Sequence, residues 1–551
     1  MSKREDFIFE EYEGHYILDK YVGDDEEVII PDEIDGIKIE TIGYMCFFNL
    51  RNRYNTRIKS VVLPKNLKKI GSEAFAFCVA LESVVFPDSL EFIGAEAFLG
   101  CRSLKEINLG PNVKEIQSFA FGECCSLKSI TIPKSVEILS FESFPDCYDL
   151  ERISVEEGNK VYDSRNDCNA IIYTEKNIMF LGCKNTIIPD TVEEIDSLTF
   201  ETTSFPKNIM IPKSVKKIDL FMCRCDKSNI ESIVVDERNE VFDSRDNCNA
   251  IIETRTNKLI LACRNTIIPN TVEIIGKTAY RNCNFIKRLL LPEGVKHIES
   301  DYYGAFEDCV FLEEVVLPNS LESIDSNAFN EFYSLERIII PKGVKKIGES
   351  IFSQCNNLGI ILVDKENPYY DSRDNCDAII ETKTDTLIAG CKHTKIPESV
   401  KAIGREAFLF CDIDEVFIPK GVERIEDHAF SYSRLKIIEI ADSVTTIEKS
   451  AFASSKLRNI EIPDSVITIK DNAFEGCWSL RNVYIPKSVK NMGSYVFYNC
   501  RANLTVYLDK EFIENGVPSG WDDNWDTTDK GEKIKIQEID SLNEKKKLYF
   551  E

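Results

Sequence analysis

The chain has 551 residues, with 93 Asp and Glu against 67 Lys and Arg and a formal net charge of −26. So acidic a surface repels phosphate backbones and anionic headgroups, which excludes nucleic acid and the membrane surface as expected partners. Hydrophobic residues make up 43% of the chain, ample for a core, yet no run reaches the ~18 uninterrupted apolar residues of a membrane span.

Residues 1–40 begin MSKREDFIFEEYEGHY and continue into the strand-like VIIPDEIDGIKI; they are expected to form an N-terminal cap. Over residues 41–503 a 23-residue phrase recurs. Leu81 to Ser103 reads LESVVFPDSLEFIGAEAFLGCRS, and further copies start at Leu104 and Leu127. A fixed period in the twenties marks a solenoid, in which each coil buries its apolar side only against its neighbours. In the copy at Leu127, Leu127-Lys-Ser-Ile130-Thr-Ile132 alternates as a short strand, and Pro133 terminates it. Val136 and Ile138 form a second short apolar run. The G-x-x-A-F-x-x-C stretch after it is expected to be a short helical or 3₁₀ turn whose ring fills the space between coils. The aromatic is traced at sixteen positions, from Phe47 through Phe98, Phe200, Phe221 and Tyr280 to Phe497, which predicts about sixteen coils.

Three intervals between aromatics are long, and each holds the same module, near residues 154–188, 234–268 and 362–396. The copies begin VYDSRNDC at Val161, VFDSRDNC at Val241 and YYDSRDNC at Tyr369. Two β-rich runs flank a Thr/Asn/Asp/Lys centre in each, the pattern of an inserted β-hairpin. The D-S-R stretch lacks the Gly and the distant Glu of an EF-hand loop, so Asx-turn chemistry is the better reading of Asp163, Asp243 and Asp371. Residues 504–551 keep a strand (LTVYL), then diverge into GVPSGWDDNWDTTDKGEKIKI, read as a C-terminal cap and tail carrying Trp521 and Trp525.

The I-P-K-S-V phrase, the G-x-x-A-F-x-x-C turn and the terminal P-S-G-W-D-D-N-W segment resemble the BspA-type leucine-rich repeat family over about residues 25–527. With the periodicity, that resemblance implies a β-rich α/β leucine-rich-repeat solenoid with a parallel concave sheet, short helical or 3₁₀ convex turns and three inserted β-hairpins. It further implies adhesion, or binding of host or matrix protein, at a cell surface, and it brings no catalytic residues. The sequence as given carries neither a signal peptide nor an anchor, which by itself reads as cytoplasmic. An intracellular scaffold therefore stands as the alternative function.

Several constellations invite a chemical reading. The F-x-x-C cysteines fall one per coil, so they form a line rather than a tetrahedral ligand set, and packing as small buried hydrophobes is the expectation. Cys168 and Cys183, Cys248 and Cys263, and Cys376 and Cys391 are each 15 residues apart. Centred hairpins would set each pair directly cross-strand, as facultative disulfides in an oxidising compartment and thiols in a reducing one. The four histidines lie in different repeats, and no hydrolase, zinc-protease or nucleotide-binding motif is present. Neither enzymatic activity nor a metal or cofactor is expected.

In the strand L-x-x-I-x-I, positions one, four and six point inward and positions three and five outward. Read down the chain, position five is mixed or polar in the first coils (Val62, Val85, Asn108, Thr131, Ser154) and the last, and between them carries Val234, Leu290, Val316, Ile339, Leu362 and Phe417. Stacked strands sit about 4.8 Å apart, so such a column would form an exposed apolar stripe of the kind that binds protein. A protein partner, or a second copy of the chain, is the expected ligand.

Overall fold

The computed structural model describes residues 3–48, 54–140, 142–197, 206–219, 230–301, 304–501, 503–509, 516–527 and 533–539, with Thr199, Phe512 and Glu514. Phe200 and Phe221, two of the traced aromatics, lie outside the described residues. The chain divides into two compact units, residues 1–255 with 262–267, and residues 256–261 with 268–551.

Each unit is a β-solenoid whose coils repeat the same three sides. In the first unit, the alternating residues build a parallel ladder, as in Ser60–Val62 beside Ser83–Val85 and Ser129–Ile132 beside Arg152–Val155. The second apolar run builds another parallel ladder, through Lys69–Ile70, Phe92–Ile93, Glu115–Ile116 and Ile138–Leu139. The second unit repeats both, for example Arg337–Ile340 beside Ile360–Val363, and Arg424–Ile425 beside Thr446–Ile447. Inward positions one, four and six are sealed: Leu127, Ile130 and Ile132 are at most 1% exposed.

The third side differs from the helical turn anticipated. Its residues do make the i→i−3 hydrogen bonds of a 3₁₀ turn, such as Ala76 N to Glu73 O (3.0 Å) and Cys78 N to Phe75 O (3.1 Å). But Glu73 and Phe77 hold φ of 55° and 57°, so no helix runs through. The alternate amides turn outward along the stack instead: Glu73, Phe75 and Phe77 N donate to Ala95, Ala97 and Leu99 O at 2.9, 2.7 and 2.6 Å. The turn is thus a third inter-coil ladder, and its two left-handed positions per coil are the cost of satisfying every buried amide.

Inside these ladders the phenylalanines stack. Phe75 to Phe98, Phe98 to Phe121 and Phe121 to Phe144 have centroids 5.0, 5.3 and 5.4 Å apart with planes within 6°. Phe408, Phe430, Phe452, Phe474 and Phe497 continue the arrangement in the second unit at 4.8–5.5 Å. Tyr21 stacks on Phe47 at one end, and Trp525 meets Phe497 edge-on at the other.

Among the described residues of the two units there are about 20 turns rather than sixteen. The aromatic trace misses the coils of the hairpin modules, which fill the same space with hairpin residues. In the third module the strand Thr386–Gly390 passes directly over the next ring: a Cβ added at Gly390 would sit 2.1 Å from Phe408 Cε1. Truncating one stacked ring, as in Phe98→Ala, should destabilise the protein by about 3–5 kcal/mol; urea unfolding followed by circular dichroism measures it, and a loss below ~1 kcal/mol would show the column to be slack.

Candidate functional site

The outer face of the first ladder is where the sequence placed its apolar stripe. Val234, Leu290, Val316, Ile339 and Phe417 are exposed, and Leu362 is half-buried. Register pairs several directly: Met210 with Val234 in the first unit, Leu290 with Val316 and Ile339 with Leu362 in the second. Phe417 is 61% exposed and faces Glu439. Tyr484, also at position five, is only 3% exposed, with Tyr507 as its register neighbour.

Sequence reading missed part of this face. Met210 belongs to it, and Ile187 and Ile267, 68% and 77% exposed, hold the equivalent sequence position just outside its strands. Both isoleucines occupy position five of a hairpin coil, in Thr186-Ile187-Ile188-Pro189 and Thr266-Ile267-Ile268-Pro269. The phrase T-I-I-P was the available signal. The face is also not one unbroken stripe, because the base of each hairpin wedges into it. Ile187 N donates to Cys168 O (2.9 Å) and Ile267 N to Cys248 O (3.0 Å), while the Asn249 amide oxygen accepts from Ile233 N (3.3 Å).

The hairpins are held by their own polar residues. Asp163 Oδ1 accepts the Arg165 amide (3.1 Å), the Asx-turn bond, and the Arg165 guanidinium grips the same carboxylate through Nε (2.7 Å) and Nη2 (2.5 Å). Asp243 with Arg245 and Asp371 with Arg373 repeat the fork. Ser164, Ser244 and Ser372 accept the amides of Val155, Val235 and Val363, which ties each module to the preceding strand. The acids are thereby spent on arginine and backbone. Among the described residues, no group of three or more His, Cys, Asp and Glu is placed to hold a metal ion.

Burial would push the Asp163 and Asp243 carboxyls up, but the hydrogen bonds and charge of the neighbouring arginine outweigh it and hold both below the ordinary value. A depressed native pKa contributes stability that is complete above the unfolded value, about 4, and is lost as pH falls through the native one. Acidification should therefore raise amide exchange at Val155 and Val235 before it raises exchange in the coils at Phe98; hydrogen-exchange mass spectrometry reads the order, and simultaneous loss would refute the fork as the hairpin's clamp.

The F-x-x-C thiols are core residues with one further task. Cys101, Cys124 and Cys147 Sγ donate to the carbonyls of Phe75, Phe98 and Phe121, one coil back, at 3.3–3.5 Å, and Cys477 and Cys500 do likewise to Phe452 and Phe474. The hairpin cysteines are also free and buried. Their expected direct opposition is displaced by one residue. In the third module Ala378 pairs with Gly390, and Cys391 Sγ donates to Asp377 O (3.2 Å), while Cys376 Sγ turns to Ala378 O (3.8 Å). A β-bulge after Ile379 causes the shift. Burial pushes Cys168, Cys248, Cys376 and Cys391 up to about 11, which makes them poor nucleophiles. Twenty thiols should titrate under denaturing, non-reducing conditions, and in the native protein Cys125 should label first among the described cysteines; a shortfall in twos would reveal oxidised hairpin pairs.

Two polar contacts were invisible in the sequence. His297 Nδ1 lies 2.5 Å from Ser323 Oγ and its Nε2 3.4 Å from Asp325 Oδ2, brought together by the parallel pairing of His297 with Ser323. Arg281, 1% exposed, sits 2.7 Å from Glu307 within the turn side of the second unit.

These features define a leucine-rich-repeat solenoid whose distinctive surface is a segmented apolar face. The model of the BspA type leucine rich repeat region matches residues 40–169, 172–251, 251–373 and 388–504, and the chain belongs to that family. Three solved structures are similar over nearly the whole chain. A leucine rich cell surface protein of Faecalibacterium prausnitzii A2-165 is 18% identical, with 99% of this chain and 96% of that one covered and a TM-score of 0.34. A leucine-rich repeat protein of Bacteroides ovatus is 20% identical, with 97% and 98% covered and a TM-score of 0.30. The pneumococcal vaccine antigen PcpA is 15% identical, with 98% of each chain covered and a TM-score of 0.32. No curated protein matches the chain.

Proposed function

We propose that the chain is a protein-recognition module that binds its partner on the outer face of the first ladder. The observation that carries this reading is the register of exposed apolar side chains: Leu290 beside Val316, Ile339 beside Leu362, and Met210 beside Val234. β-Propensity accounts for such residues in a strand, but not for leaving them uncovered side by side, where contiguous apolar area favours association. The coil backbone is held by three ladders, so little ordering is needed on binding. The partner is a protein, in line with the family, and adhesion to a host or matrix protein is the finer form of the reading.

The triple variant Leu290→Ser, Val316→Ser and Ile339→Ser tests it, because all three side chains leave the core untouched. Self-association by analytical ultracentrifugation, or capture of a cross-linked partner on intact cells, should fall at least about tenfold with an unchanged circular dichroism spectrum. Retention of full association would move the binding face elsewhere.

A further inference from the structure

We propose that Phe410 and Tyr432, on the turn side of the second unit, form a platform for the apolar face of a neutral sugar ring. The side chain preceding the turn cysteine position sits at a left-handed backbone position. In this unit small or polar residues such as Asn282, Asp308, Ser454 and Asn499 fill it, with φ of 56° to 59°. Two successive coils instead place aromatics there, at φ 54° and 55°. Bulky side chains are outliers in this region, and such strain persists where something other than local stability maintains it.

Neither ring repays that strain in the core. The core is filled by the stacked Phe408 and Phe430, both fully buried, whereas Phe410 is 38% and Tyr432 54% exposed. The two rings stack on each other, centroids 4.8 Å apart and planes 16° from parallel. Phe77 in the first unit shows the structural alternative: it occupies the same turn position but is enclosed edge-on by Phe48 and Tyr54.

Beyond Tyr432 the column continues with Ser454 and then Gly476, joined coil to coil by Tyr432 N to Ala453 O (2.8 Å) and Ser454 N to Glu475 O (2.6 Å). The outer face of Tyr432 therefore borders a shelf of the smallest side chains, and a planar group resting there extends the stack. Charge selects its chemistry. Arg434, exposed, and Asp412, half-buried, each two residues from a ring, form a pair 3.1 Å apart. Arg434 opposes an incoming cation, and the net charge of −26 opposes an anion. A neutral ring with C–H faces and a hydroxyl rim meets both conditions, with Asp412 accepting and Arg434 donating to the rim.

The full chain is titrated by calorimetry with cellohexaose, maltohexaose and chitohexaose. At least one should bind, Tyr432→Ser should weaken it about tenfold or more, and the melting temperature should hold or rise because left-handed strain is relieved. Ser454→Trp, which fills the shelf while leaving both rings, should also abolish binding and serves if Tyr432→Ser fails to fold. Failure of all three sugars to bind, or binding unaltered in the variants, overturns the proposal. Sugar binding that survives the triple serine change on the strand face keeps this site separate from the protein-binding reading.

Discussion

Everything in this protein hangs on the backbone having a partner one coil away on each of three sides. Two ladders are ordinary parallel strand pairs; the third uses a turn in which every second amide leaves the coil. With all three closed, the repeat spacing equals the spacing of hydrogen-bonded strands, and a single phenylalanine per coil falls into face-to-face register with the next. The ring stack and the thiol-to-carbonyl bonds follow from that geometry. The ring shares the interior of each coil with inward aliphatic side chains such as Leu127, Ile130 and Ile132, and the cysteine three residues later is small enough to pack beside it while its S–H reaches the carbonyl behind.

The left-handed turn positions show what the ladder demands in return. Asp146, Asn282, Asp308, Ser454 and Asn499 take positive φ at the second of these positions without a glycine. Each bears an unfavourable conformation so that the neighbouring amide can bond along the stack, and the balance favours the bond because an orphaned buried amide is costlier. Where the same position carries an exposed aromatic pair, that balance no longer explains the residue choice, which is why Phe410 and Tyr432 stand out.

The inward side of the coil was legible in the sequence because its period is strict: Leu127, Ile130 and Ile132 announce their burial by spacing alone. The hairpins were legible through D-S-R and the turn residues at their tips. What could not be read was anything set by a one-residue displacement. The bulge after Ile379 moves Cys391 from Cys376 to Asp377, and no residue type marks it. Ile187 and Ile267 hold the sequence position of the outward column, yet the hairpin insertion shifts the phrase and hides it. Tyr484 shares its position with exposed residues but not their surroundings, since position predicts direction and not what lies in that direction. His297 met Ser323 and Asp325 only because parallel register places equivalent residues of successive coils side by side.

Gly390 gives the solenoid a mechanical consequence. Where the third hairpin enters, Phe408 rests on a bare backbone rather than on another ring, so the aromatic column of coils 408 to 497 begins on a floor of its own. A chain built of identical contacts would unzip coil by coil under tension. This one differs at Gly390, where a ring bears on backbone that stays tied to the next coil through Gly390 N to Ala407 O (2.9 Å), so the grip between those two coils is unlike the ring-on-ring grip of the coils that follow.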